Sequence, residues 1–144
     1  MIKMDKSITI NRPVETVWNY LTNLENMPEW DRDVIQARKI TPGPPGAGMT
    51  VEVVDVLIGR RTGRLELTEF VPCEKFVIRA SVGPSTGNLV FTLKPDSQGT
   101  VVREVSEFEL QGALMLIEPI FRLFGQKFGE GDFANLKRVM EAKH

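Results

Sequence analysis

The stretch ITINRPVETVWNYLTNLENMPEWDRDV, residues 8–34, decides how the rest of the chain is read. It opens on the end of an alternating run in which Met4, Lys6, Ile8 and Ile10 oppose Asp5, Ser7 and Thr9, the period of a half-buried strand. Asn11 and Arg12 lead into Pro13, whose fixed φ suits the first turn of a helix. Val14, Val17, Trp18 and Leu21 then fall at i, i+3, i+4 and i+7, a single apolar stripe that must pack on another element. After Asn23, the run Leu24 to Trp30 reads as a second short helix, in which Pro28 sets the entry to a last turn or breaks the helix, with Trp30 placed to plug it onto a sheet.

Beyond this stretch the pattern turns to strands. Residues Val34 to Thr41 read as extended, and PGPPGAG (42–48) as a loop. This glycine cluster lacks the Lys-Ser/Thr ending and the strand-to-helix setting of a phosphate loop. Strands follow over Met49–Ile58, Arg61–Val71, Glu74–Val82, Asn88–Lys94 and Thr100–Leu110, broken at Gly59, Pro72, Gly83-Pro84 and Asp96–Gly99. Such short connections imply an antiparallel meander. From Leu114 to Lys143 the apolar spacing is helical (Ile117, Ile120, Phe121, Phe124, Phe128, then Phe133, Leu136, Val139, Met140), interrupted by Pro119, Gly125, Gly129 and Gly131.

The expected fold is therefore α+β, with a curved antiparallel sheet of six to seven strands wrapped around a long C-terminal helix and two short helices after the first strand. Its length of 144 residues suits one domain, 1–144. One helix across a twisted sheet leaves part of the concavity unfilled, so a cavity is expected. The candidate ligand-binding residues are Val53, Leu65, Leu67, Phe76, Ile78, Leu89, Phe91, Phe121, Phe124 and Phe128, with Val51 beside them. Solid core packing is the competing reading for each.

Composition narrows the partners. Eighteen basic against nineteen acidic residues give a net charge of -1, too little to draw nucleic acid. The lone Cys73 closes no internal disulfide, and the charged start MIKMDKSITI lacks the apolar run of a signal peptide. The longest apolar stretch, Ala113–Phe124, is broken by Glu118, Pro119 and Arg122 and is shorter than a membrane span. A cytoplasmic location is the expectation, with no transmembrane segment; a homodimer is left open.

The residues of the opening stretch resemble the polyketide cyclase/dehydrase and lipid-transport proteins of the START-like, helix-grip superfamily. Pro13 opens the helix that carries Val17 and Trp18, and Pro28-Glu29-Trp30 ends the second helix before Val34. The run GAGMTVEVV (46–54) is similar to that family's glycine turn into strand three. LTEFVPCEKFVIRA (67–80) resembles its strand-turn-strand around Glu69 and Pro72, and QGTVVREVSEFEL (98–110) its Gly-Thr last strand. The resemblance implies a pocket between sheet and C-terminal helix, and it brings no universal catalytic residue.

Chemistry within the chain is sparse. The only histidine, His144, is terminal, so no His-based dyad forms, and one Cys with one His cannot make a zinc site. No cofactor or metal is implied. Asp55, Glu66, Glu69, Glu104, Glu107 and Glu109 lie on strands, and any that point inward would have raised pKa values suited to proton transfer. The alternative is solvated carboxylates paired with Arg64, Arg79 or Arg103 across strands. Arg60, Arg61 and Arg64 form a basic group that could meet an anionic head at the pocket mouth.

The leading expectation is binding or transport of a small hydrophobic ligand: a lipid, an isoprenoid or an aromatic polyketide. A cofactor-free cyclase or dehydratase and a protein-interaction module like the superfamily's chaperone activators are the alternatives, and no catalytic residue is assigned. Two or more ionisable groups near the cavity floor would favour the enzyme, and a purely apolar lining the carrier.

Overall fold

The computed structural model describes residues 2–57 and 59–142, with side chains described at all of these except 113, 121, 122 and 124–130. The chain runs β1 (Ile2–Ile10), α1 (Val14–Thr22), α2 (Met27–Trp30), β2 (Val34–Lys39), β3 (Thr50–Asp55), β4 (Arg61–Val71), β5 (Lys75–Val82), β6 (Ser85–Asp96), β7 (Gly99–Leu110) and α3 (Glu118–Ala142). The seven strands form one antiparallel sheet in the order β1-β7-β6-β5-β4-β3-β2. This is a helix-grip fold. The first strand lies at one edge and the second at the other, so α1 and α2 carry the chain from edge to edge.

Alternation along the strands selects the inner face. On β1 the even-numbered residues Ile2, Lys6 and Ile10 are buried, and on β7 so are Thr100, Val102, Glu104, Ser106 and Leu110. The stripe on α1 buries Val17, Trp18 and Leu21. There Trp18 meets Phe70 and Phe76 edge-on, with centroids 5.1 and 5.5 Å away, and Phe76 stacks on Phe91 at 4.6 Å. These aromatic contacts, together with Leu65, Leu67 and Ile78, make a solid core at the α1 end of the sheet.

Several boundaries differ from the pattern-based reading. β3 is shorter than Met49–Ile58, and β6 is longer than Asn88–Lys94, because the tight Gly83-Pro84 turn lets Val82 pair directly with Ser85. The C-terminal helix starts at Glu118 after a 3₁₀ segment, Gly112–Ile117. Pro119 falls in its first turn, where a missing N–H costs nothing. The backbone stays helical through Gly125, Gly129 and Gly131, because packing rather than propensity holds it: Phe133, Leu136 and Met140 are buried at its C-terminal half, which lies against β1. Among the described residues no helix is long and apolar enough to cross a membrane.

Candidate functional site

α2 ends at Trp30, and the chain turns into β2 through Asp31, Arg32 and Asp33. Trp30 is buried and its ring lies 6.5 Å from that of Phe133, which ties α2 to α3. This contact aligns the turn with Asp132 on α3. The carboxylate oxygens of Asp31, Asp33 and Asp132 lie within 4.8 Å of one another. The Arg32 backbone N–H donates to Asp132 Oδ1 at 3.2 Å, and the Arg32 Nε lies 3.6 Å from the same oxygen. Gly131 permits this approach, since a Cβ there would fall 2.5 Å from Arg32 Nη2.

The cluster opens into a cavity of about 210 Å³ between the sheet, α2 and the start of the C-terminal segment. That is below the ~300–1,000 Å³ of drug-sized ligand sites, so the space suits a small molecule. Its composition changes along the β1–β7 pair. Lys6 stands opposite Glu104 in the register, and Ile2 opposite Phe108. Four residues of strand separate the two levels by roughly 13 Å. At the first level Asp31, Asp33, Asp132, Lys6 and Glu104 line the wall; at the second are Ile2, Phe108, Leu110 and Leu114.

Electrostatics at the polar level are strained. Burial pushes Asp31 up to about 7, and the charge of Asp132 adds to the rise. Although Asp31 keeps some accessible surface, protein encloses its carboxyl closely enough for desolvation to dominate. Burial also raises Asp33, with Asp132 and Asp55 contributing. Asp55 is raised by burial, against the pull of the Leu57 N–H and Arg61. Glu104 is raised by burial despite Lys6, whose Nζ is 3.5 Å from its Oε1. Lys6 also sits 4.7 Å from the centroid of the Phe133 ring. Two residues along, the fully buried Ser106 hydroxyl makes no hydrogen bond of normal geometry and exerts only a minor pull on Glu104.

Of the residues expected to bind ligand, Leu89 and Phe91 stand on the cavity wall. Val53, Leu65, Leu67, Phe76 and Ile78 are buried in the core cluster and do not line this cavity, and the same holds for Val51. The side chains of Phe121, Phe124 and Phe128 lie outside the described residues. Among the strand carboxylates, Asp55 and Glu104 reach the cavity, whereas Glu69 pairs with Lys75 at 3.0 Å in solvent and Glu107 with Lys3 at 3.7 Å. Arg61 lines the cavity, while Arg60 and Arg64 are exposed. Cys73 occupies the β4–β5 turn with φ 63°.

The reading of the sequence missed Asp31, Asp33, Asp132 and Lys6. A lysine inside an alternating apolar run was the visible signal for Lys6, whose register places it opposite Glu104. Nothing local in Asp31-Arg32-Asp33 distinguishes it from a solvated turn; α3 makes it a site. Three carboxylates offer hard oxygen ligands to a cation, though fewer than the six to eight that Ca²⁺ takes, and Arg32 already engages Asp132.

The family model described as polyketide cyclase / dehydrase and lipid transport matches residues 1–141. The chain belongs to this family. Several solved structures share its helix-grip frame. TTHA0849 from Thermus thermophilus superposes with a TM-score of 0.81 at 18% identity, covering 97% of both chains. A START superfamily protein from Mycobacterium smegmatis gives 0.81 at 12% identity, covering 96% of this chain and 97% of that one. The di-domain ARO/CYC StfQ of the steffimycin biosynthetic pathway gives 0.76 at 14% identity, covering 97% of this chain and 50% of its own. At these identities the likeness is one of fold. No curated protein matches the chain. The cavity between sheet and helices is of the helix-grip kind and suits a small hydrophobic ligand.

Proposed function

We propose that this protein binds and carries a small amphipathic molecule, its apolar body against Ile2, Phe108, Leu110 and Leu114 and its polar head among Asp31, Asp33 and Asp132. The observation that carries this reading is the polarity gradient of the cavity along β1 and β7, from the Lys6–Glu104 level to the Ile2–Phe108 level. Apolar burial supplies affinity, and a few polar groups at one end set orientation. Native mass spectrometry of the purified protein, followed by organic extraction, tests it. A stoichiometric amphiphile that is lost in Phe108→Trp, which fills the apolar level, supports carriage. A clean apo mass that stays unshifted with a panel of lipids and aromatic polyketides speaks against it.

A cofactor-free cyclase or dehydratase is the second reading, favoured by the ionisable groups at the polar level. A carboxyl near pH 7 at Asp31 has the proton affinity of a general acid or base. Cyclisation or dehydration of a poly-β-ketone, accelerated by the protein and lost in Asp31→Asn, would support this reading over simple carriage. Equal rates with and without the protein count against it.

A further inference from the structure

The two ends of the C-terminal helix are treated differently by the fold. Its second half buries Phe133, Leu136 and Met140 and lies against β1. Its first turns and the 3₁₀ segment before them hold Met115, Leu116, Ile120 and Leu123 in solvent, with Leu116 at 84% and Leu123 at 76% exposure. Ile120 and Leu123 stand three residues apart on one helix face, and Leu116 lies a turn before them. A cluster of large aliphatic side chains left in water marks a surface that something covers.

The position of this cluster connects it with the cavity. Leu114, directly before Met115, lines the cavity wall, and so does Leu57 on the β3–β4 connection, which is itself exposed. The cavity therefore reaches the surface where these two segments stand. Around that opening Val56 and Leu57 on one segment, and Met115, Leu116, Ile120 and Leu123 on the other, present apolar surface. Arg60 follows Leu57 on the same connection and is exposed. The acidic Glu118 is half-buried in the first turn of the helix, where the helix dipole accommodates it.

Size and chemistry select the occupant. Six apolar side chains among the described residues are few beside the ~20–30 residues that each side of a stable protein interface contributes. They are aliphatic, and leucine and valine are under-represented among the residues that dominate binding between proteins. A bilayer surface asks for less: a few aliphatic side chains on one helical face, sunk below the headgroups, with a cation beside them to meet lipid phosphate. The guanidinium of Arg60 supplies that cation, and its stem can lie along the apolar layer.

Resting on the reading of the cavity as a ligand site, we propose that this rim docks on the surface of a phospholipid bilayer, so that the amphiphile passes between membrane and cavity at Leu57 and Leu114 without crossing water.

Flotation of the whole protein with vesicles of phosphatidylcholine, and of phosphatidylcholine mixed with phosphatidylglycerol, tests this. The parent should float with both and more strongly with the mixed vesicles. Leu116→Glu and Leu123→Glu, each checked for native circular dichroism, should lower the bound-to-free ratio roughly tenfold or more, since each removes a buried leucine from the docked state. Arg60→Glu should weaken binding to the mixed vesicles more than to phosphatidylcholine alone. Val71→Glu, an exposed apolar position at the opposite end of β4 from Arg61, should float like the parent. A parent that stays in the soluble fraction with both vesicles overturns the proposal, and the carrier reading is then decided separately by the co-purified amphiphile. Binding to the mixed vesicles that salt abolishes and both leucine variants retain is a charge contact elsewhere, and overturns it too. A concentration-dependent dimer in analytical ultracentrifugation that Leu116→Glu dissolves assigns the rim to a second copy instead. A parent that floats as expected yet takes up no amphiphile supports the docking surface and removes the carrier reading.

Discussion

Lys6 and Glu104 face each other across the β1–β7 pair with Nζ 3.5 Å from Oε1, both side chains almost wholly withdrawn from solvent. Two opposite charges on the inner face of a sheet are disfavoured by burial, and each is the nearest counter-charge of the other. Removing one partner should therefore cost ~3–5 kcal/mol of folding stability. Urea unfolding of Lys6→Met and Glu104→Leu should show that loss singly, and the double substitution should recover most of it. Equal, additive losses would mean that the two charges are independently solvated.

The acidic cluster predicts an inverted pH dependence of stability. Asp31 has a folded pKa near 7 against an unfolded value near 3.8. Between those values the native state holds more protons than the unfolded state, so stability falls as pH rises from 4 to 7 and levels off above. Asp33, Asp55 and Glu104 are raised as well and act in the same direction. For Asp31 the effect is up to about 4 kcal/mol. Denaturant midpoints should show Asp31→Asn more stable than the parent at pH 8 and closer to it at pH 4.

Gly131 gives a way to disturb the cluster without touching a carboxylate. Alanine there would push the Arg32 guanidinium away from Asp132, because the new Cβ falls 2.5 Å from Nη2. The helix itself gains ~1 kcal/mol in propensity. Gly131→Ala is thus expected to leave the melting temperature unchanged or higher, while Asp33, which Arg32 holds down, titrates at higher pH. Carbon-13 NMR of the carboxyl groups reads this directly; an unmoved Asp33 would mean that Arg32 does not act on it.

Core and cavity should separate under mutation. Leu67 is fully buried in the core and does not line the cavity, and Leu67→Ala should cost ~2–5 kcal/mol with ligand affinity retained. Phe108 is only partly buried on the cavity wall, so Phe108→Trp should leave stability within ~1.5 kcal/mol and abolish binding.

Gly87 is the place where the sheet admits that phenylalanine. A Cβ at this position would fall 2.3 Å from the Glu107 carbonyl oxygen and 2.6 Å from the Phe108 ring. Gly87→Val should consequently destabilise by more than ~2 kcal/mol and displace Phe108. A folded variant of parental stability would show that the strands part there without cost.

The order of elements was legible from local pattern alone. The stripe Val14, Val17, Trp18, Leu21, the Pro13 start and the alternation of the later strands each express a period that the backbone imposes on any chain of this kind. The helix-grip fold follows from that order, because a meander of short-looped strands and one long amphipathic helix have few ways to bury their apolar faces together. Periodicity could not divide the inner face of the sheet between core and cavity. Phe76 and Phe91 look alike along their strands and stack on each other, yet only Phe91 lines the cavity. Which one does so depends on how far α1 and α2 extend over the sheet, a property of packing. The acidic cluster was equally hidden: Asp31 and Asp132 lie about a hundred residues apart, and their proximity exists only once Trp30 has docked on Phe133. Local pattern determined the frame because its signals repeat within a few residues. The tertiary structure alone decided the site, because carboxylate repulsion and desolvation act through space between groups that the sequence keeps apart.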